Sequence, residues 1–124
     1  MRQSSSLACS VSIRYLQALA RQDWGEVTAC LAVDVLRRGP FGDDFEGITD
    51  YVSFLRRTMP SLPGYRMDID HVTDLGDGRA MVELRETVEL EKGLLVTHEC
   101  LVFHVDTDGL LNEISVYIRQ APKG

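Results

Sequence analysis

The apolar positions of this chain keep a helical period in its first half and alternate in its second. Between Leu7 and Ala20, Val11, Tyr15, Leu16 and Leu19 recur at helical spacing while Arg14, Gln17 and Arg21 stand outside the stripe, which predicts a first helix. Asp23, with Glu26 three residues on, forms a capping-box variant ahead of a short second helix whose apolar side is Trp24, Val27, Cys30 and Leu31. A β-prone piece, Val33 to Arg38, runs into Gly39-Pro40-Phe41-Gly42, where proline removes a donor and glycine releases the backbone. After the acidic loop Asp43 to Gly47, the residues Ile48, Tyr51, Val52, Leu55 and Met59 stripe a third helix that ends near Pro60.

From Tyr65 onward the pattern is that of strands. Tyr65 to Leu75 alternates at Met67 and Ile69 and closes at Gly76-Asp77-Gly78. Three long β-prone runs follow, Arg79 to Leu90, Leu94 to Val105 and Leu110 to Ile118, separated by Glu91-Lys92-Gly93 and Asp106-Thr107-Asp108-Gly109. Those separators are turn chemistry, so the runs predict an antiparallel meander. Each exceeds the usual five or six residues of a strand, so the sheet must twist and curl around whatever covers it. The predicted class is α+β, with three N-terminal helices packed on a strongly bent antiparallel sheet in the order α-α-β-α-β-β-β-β.

Composition narrows the function classes. At 124 residues the chain is one domain, with room for a core and a small pocket. Residues 1–6 read as a disordered N-terminus, 7–119 as the domain and 120–124 as a tail. No apolar run reaches the roughly 20 residues of a membrane span, and the polar start lacks a secretory h-region, which together predict a cytoplasmic protein with no membrane partner. A net charge of −6 with no Lys/Arg cluster beyond the pairs Arg37-Arg38 and Arg56-Arg57 predicts no nucleic-acid partner. Cys9, Cys30 and Cys100 are odd in number and far apart, and His71, His98 and His104 have no ligand spacing, so no disulfide framework and no metal site is predicted.

The blocks YLQALARQDWGEVTACLAVDV, RRGPFGDDFEGITDYVSFL and DTDGLLNEISVYI resemble the nuclear transport factor 2-like superfamily, in its SnoaL-like branch. The landmarks are the Gln22-Asp23 step that ends a helix, Gly39-Pro40 before Gly47, and the Asp108-Gly109 turn before the last strand. The resemblance implies a cystatin-like cone around an apolar cavity, and a homodimer through the outer sheet face. It implies a function no narrower than isomerase, cyclase, hydrolase, dehydratase or non-catalytic binding module.

Set against ketosteroid isomerases, Tyr15 falls on the family's helix-one tyrosine, whereas the base position falls on Gly39 and the second acid on Leu101. The final-strand Asp of the cyclases falls among Ile114, Val116 and Ile118, the apolar inward positions of the last run. An acid or base must therefore come from elsewhere. If Leu101 and Phe103 face inward, so do Thr97 and Glu99; on the neighbouring run Glu86 sits alone among Val82, Leu84, Val88 and Leu90. A carboxylate on an apolar face is costly, and its pKa rises toward the range useful for proton transfer.

The predicted catalytic residues are therefore Tyr15, Glu86 and Glu99. The predicted pocket lining is Trp24, Phe41, Tyr51, Phe54, Leu101, Phe103, Ile114, Val116 and Ile118, with Phe41 to Phe45 as a lid. The leading expectation is an isomerase, cyclase or dehydratase that moves protons on a small hydrophobic metabolite, polyketide-, steroid- or terpene-like, without a cofactor. The alternative expectation is a non-catalytic pocket or a dimerisation module. In the same reading, the structural role open to either Glu is an ion pair with Arg85 or Arg38, and His98 and His104 share the outer parity with Cys100 and Val102.

Overall fold

A computed structural model describes residues 6–119. The expectations for residues 1–5 and for 120–124 lie outside that range. Ser6 opens the first helix rather than belonging to a tail: its side chain accepts a hydrogen bond from Cys9 N at the N-cap of α1, Leu7–Arg21. The helix ends where Gln22 turns left-handed (φ 57°) and its N–H returns to Ala18 O and Leu19 O. Asp23 then caps α2, Trp24–Cys30, by accepting from Glu26 N at 3.2 Å. Only half of the capping box forms, because the Glu26 carboxylate instead takes the Arg14 guanidinium at 2.6 Å.

The chain leaves α2 directly into β1, Leu31–Arg38, which pairs with a two-residue β2, Phe45–Glu46. α3 spans Ile48–Thr58 and is followed by a 3₁₀ turn at Met59–Ser61. Four strands complete the chain: β3 Arg66–Gly76, β4 Arg79–Leu90, β5 Gly93–Val105 and β6 Leu111–Arg119. The last turn is set by Asp106, whose Oδ1 accepts from Asp108 N and Leu110 N, and by Gly109 at φ 78°, a conformation that favours glycine.

The six strands form one sheet in the order β2-β1-β6-β5-β4-β3. The expected meander is there, with β4 and β5 in unbroken register from Arg79↔His104 to Leu90↔Gly93. The sheet as a whole is mixed, however, because β1 runs parallel to β6. That pairing joins residues 77 to 80 positions apart, and no local pattern encodes it. Strand parity is as expected: Ala80, Val82 and Leu84 on β4, Leu101, Phe103 and Val105 on β5, and Ile114 and Val116 on β6 are buried on the inner face. Helix α1 lays Tyr15, Leu16, Ala18 and Leu19 on that face, and α3 adds Tyr51 and Leu55. No helix among the described residues is long and apolar enough to cross a membrane.

Candidate functional site

Between α1, α3 and the inner sheet face lies a cavity of about 160 Å³. Its walls are mostly apolar, supplied by Leu16, Leu19, Leu55, Met59, Leu62 and Leu101 among others, and six polar side chains interrupt them: Tyr15, Arg37, Tyr51, Thr58, Glu86 and Glu99. A larger depression, about 610 Å³, lies on the outer face around Asp70, His71, Glu83, His98 and Cys100. The inner cavity, unlike that depression, is lined by the buried hydroxyls of Tyr15 and Tyr51 beside two carboxylates, and buried functional groups in a cavity are the usual mark of a site.

Tyr15 and Tyr51 meet by their hydroxyls across the cavity roof. They are 0% and 3% exposed, and helix periodicity places both there, one on the inward stripe of α1 and one on that of α3. Two hydroxyls that share one hydrogen bond leave one O–H free to donate elsewhere. Burial pushes the Tyr15 phenol well above its ordinary range and raises that of Tyr51, so both stay protonated donors at neutral pH. Tyr15 is further seated edge-on against Phe103, with ring centroids 5.9 Å apart.

Glu86 comes from β4, at the inward parity of Val82 and Leu84. Tyr65, just ahead of β3, donates its hydroxyl to Glu86 Oε2. Burial raises the Glu86 pKa, while the Tyr65 bond and the charge of Arg37 pull it back; the net direction is upward. Neither structural partner considered from the sequence is used: Arg85 pairs with Asp70 at 2.9 Å and Arg38 with Glu113 at 2.7 Å. Glu86 faces Thr97 and Leu84 faces Glu99 in the β4–β5 register. The two carboxylates are thus diagonal neighbours on one face, with Cβ atoms roughly 7 Å apart.

Arg37 is the residue that sequence reasoning missed. It follows Val35 on the inward parity of β1, and its side chain is only 12% exposed. Nη1 donates to Asp43 O at 2.9 Å and to Asp43 Oδ2 at 3.0 Å, while the guanidinium carbon lies 5.8 Å from the centroid of the Tyr51 ring and 5.5 Å from that of Phe54. Nε is buried and, among the described residues, has no hydrogen-bond partner. An unsatisfied buried donor costs on the order of 1–3 kcal/mol. Burial pushes Asp43 up, but bonds from Arg37 and from Phe41 N outweigh it and hold the carboxyl below its usual range. Gly39 makes room for this pair, since a Cβ there would fall on the Asp43 carboxylate and within 2.6 Å of Arg37 Nη1.

Of the lining residues expected from the sequence, Tyr51, Phe54, Leu101 and Val116 border the cavity together with Tyr15, Glu86 and Glu99. Phe103 and Ile114, both fully buried, form the core beneath it. Trp24 packs against the core from α2, and Ile118 does so from the end of β6. Phe41 is 70% exposed at the tip of its loop and borders a shallow groove with Tyr117 and Ile118; Phe45, also in the expected lid, stacks on Phe54 at 4.6 Å from within β2. His98 and His104 lie on the outer face with Cys100. Cys9 and Cys30 are free and buried.

The hydrogen-bonded tyrosine pair and two carboxylates thus line one cavity between the helices and the sheet. The profile of the SnoaL-like domain matches residues 13–114. The chain belongs to the SnoaL-like domain family. Comparison with curated proteins returns no match. Among solved structures, an LEH-like epoxide hydrolase from M. tuberculosis superposes with a TM-score of 0.78 at 22% identity, over 91% of this chain and 83% of that one. A provisional ketosteroid isomerase from Kribbella flavida DSM 17836 gives 0.80 at 22%, over 95% and 82%. Bal32a, from a soil-derived mobile gene cassette, gives 0.82 at 18%, over 92% and 90%. At these identities the likeness establishes this SnoaL-like domain's fold and leaves its chemistry to its own residues.

Proposed function

We propose that this SnoaL-like domain is a cofactor-independent enzyme that moves a proton on a small, largely apolar carbonyl compound, isomerising, cyclising or dehydrating it. The observation that carries the reading is Glu86, a carboxylate with a raised pKa that shares a largely apolar cavity with the hydrogen-bonded Tyr15–Tyr51 pair. Glu86 takes a proton from the carbon beside the carbonyl, and the electron pair moves onto the carbonyl oxygen. The free tyrosine O–H donates to that oxygen as its charge develops. The proton then returns from Glu86 to another carbon, or a leaving group departs, with Glu99 beside it as a second acid or base.

Volume limits the substrate. Drug-sized ligands occupy about 300–1,000 Å³, whereas a cavity near 150 Å³ holds benzene. A single ring or short branched chain fits about 160 Å³, and a four-ring steroid does not. The outer sheet face, with Tyr117 59% exposed and Val102 half-buried, is the surface through which we propose a homodimer.

The test is hydrogen–deuterium exchange at the activated carbon of small cyclic ketones in D₂O, followed by NMR. Wild-type protein accelerates exchange, and Glu86→Gln loses about 10²-fold or more, the usual contribution of general base catalysis. Exchange that is unchanged in both Glu86→Gln and Glu99→Gln overturns the catalytic reading in favour of a passive binding pocket.

A further inference from the structure

We propose that Tyr65 is a positioning residue for Glu86: its hydroxyl holds Oε2 of the carboxylate, which leaves Oε1 as the oxygen that takes a proton from the substrate and returns it. The inference rests on the proton-transfer reading above and adds to it the group that aims the base. Tyr65 donates to Oε2. Among the described residues no other hydrogen bond reaches the Glu86 side chain, and Oε1 is not one of the buried side-chain atoms left without a partner, so it keeps accessible surface. Glu86 itself borders the cavity. The last torsion of a glutamate is otherwise broad. With one oxygen held, the same lone pair meets the reacting carbon in both halves of the reaction.

The backbone puts the tyrosine where this bond needs it. Met67 lies opposite Glu86 in the β3–β4 register, and Tyr65, two residues earlier, shares its parity and so stands beside Glu86. Just ahead of Tyr65 the chain is tied to β4 by Glu89 N, which donates to Pro63 O at 2.8 Å. Gly64 turns left-handed there (φ 60°), where a Cβ would fall on the Glu89 side chain. Burial, and after it the charge of Glu86, push the Tyr65 phenol far above its ordinary range, so it remains a donor whether Glu86 is charged or neutral. Its bond to the charged form is the stronger of the two, and it opposes the rise that burial gives the Glu86 pKa. The other ionisable groups on the same cavity are Tyr15 from α1, Arg37 from β1, Tyr51 from α3 and Glu99 from β5. Replacing Tyr65 leaves all four in place.

The test is a carbon-13 NMR titration of the Glu86 side-chain carboxyl in the full chain, assigned with Glu86→Gln and run beside the pH profile of ketone exchange. In wild-type protein the ring carbon that bears the Tyr65 hydroxyl should shift with the same midpoint as the Glu86 carboxyl, an observation that needs no variant to fold. Tyr65→Phe should raise the carboxyl midpoint by about one pH unit or more and carry the midpoint of the exchange profile up with it. On the high-pH plateau, where the base is ionised in both proteins, the variant should exchange about tenfold slower or worse. A purely structural tyrosine would change the melting temperature and leave both midpoints where they are. A Tyr65 signal that ignores the Glu86 titration, or midpoints or a plateau unmoved in Tyr65→Phe, overturns the proposal. Coupled titration in a protein that exchanges no ketone overturns the enzyme reading and leaves Tyr65 as the holder of Glu86, whereas exchange that needs Glu86 but shows no coupling to Tyr65 overturns the proposal and keeps the enzyme.

Discussion

Replacing Glu86 with Gln should stabilise the protein, increasingly so as pH rises. The variant keeps the shape of the side chain and an oxygen to accept the Tyr65 hydroxyl, so it removes the charge and little else. In the unfolded chain Glu86 titrates near 4.3, and in the folded chain burial places its pKa higher. Above about pH 4.3 the unfolded state releases its proton while the folded state keeps it. The folded state then binds more protons, so wild-type stability falls as pH rises until the folded pKa is passed. Within that window the loss is at most about 1.4 kcal/mol per pH unit. With an unfolding entropy of about 2.1 cal/mol/K per residue, a chain of 124 residues loses about 5 °C in Tm per pH unit. Thermal melts of both proteins from pH 4 to pH 9 read the difference directly, because every other group cancels. The two Tm values should lie close together at pH 4, diverge above it in favour of the variant, and stop diverging at the folded pKa of Glu86. A difference that stays flat, or a variant that loses stability as pH rises, would refute the argument, since Glu86 would then be solvated or held as a charged partner.

Three further outcomes follow from the packing. Tyr15→Phe leaves the Tyr51 hydroxyl buried without its partner, which should cost about 1–3 kcal/mol in denaturant unfolding and about 10²–10³-fold in exchange rate if the pair faces an oxyanion. Phe103→Ala removes a fully buried ring beneath the cavity that also seats Tyr15; it should lose about 3–5 kcal/mol, and a loss under 1 would show that the ring lines open space. Asp23→Ala strips the N-cap of α2 and should lower stability by about 1 kcal/mol with exchange unaffected.

The element order could be read in the sequence because each element carries its own period. The inward stripe of α1 gave Tyr15 its place, and alternation on β4 and β5 put Glu86 and Glu99 on the cavity side, helped by a register that no bulge interrupts. What escaped depends on contacts between distant segments. The parallel β1–β6 pairing has no local signature, and neither has the meeting of Tyr15 with Tyr51 from different helices. Arg37 reads in sequence as half of a basic pair with Arg38, yet the two point to opposite faces, Arg38 to an exposed bond with Glu113 and Arg37 into the cavity. The signal that finds it is the parity it shares with Val35. Phe41 shows the converse: an aromatic in a glycine-rich loop suggests a lid, and in the structure the ring stands exposed on a loop where Gly39 N donates to Asp44 Oδ1 and Phe41 N to Asp43 Oδ1.

In the proposed reaction the tyrosine pair and Glu86 face one reacting molecule across a largely apolar cavity. Phenol mimics an enol on a single ring and matches the cavity volume, so a crystal structure of phenol-soaked protein reads that placement. The phenol oxygen should lie about 3 Å or less from the Tyr15 or Tyr51 hydroxyl, with the ring edge turned toward Glu86. Phenol bound only on the outer sheet face, or an inner cavity filled by side chains, would contradict it.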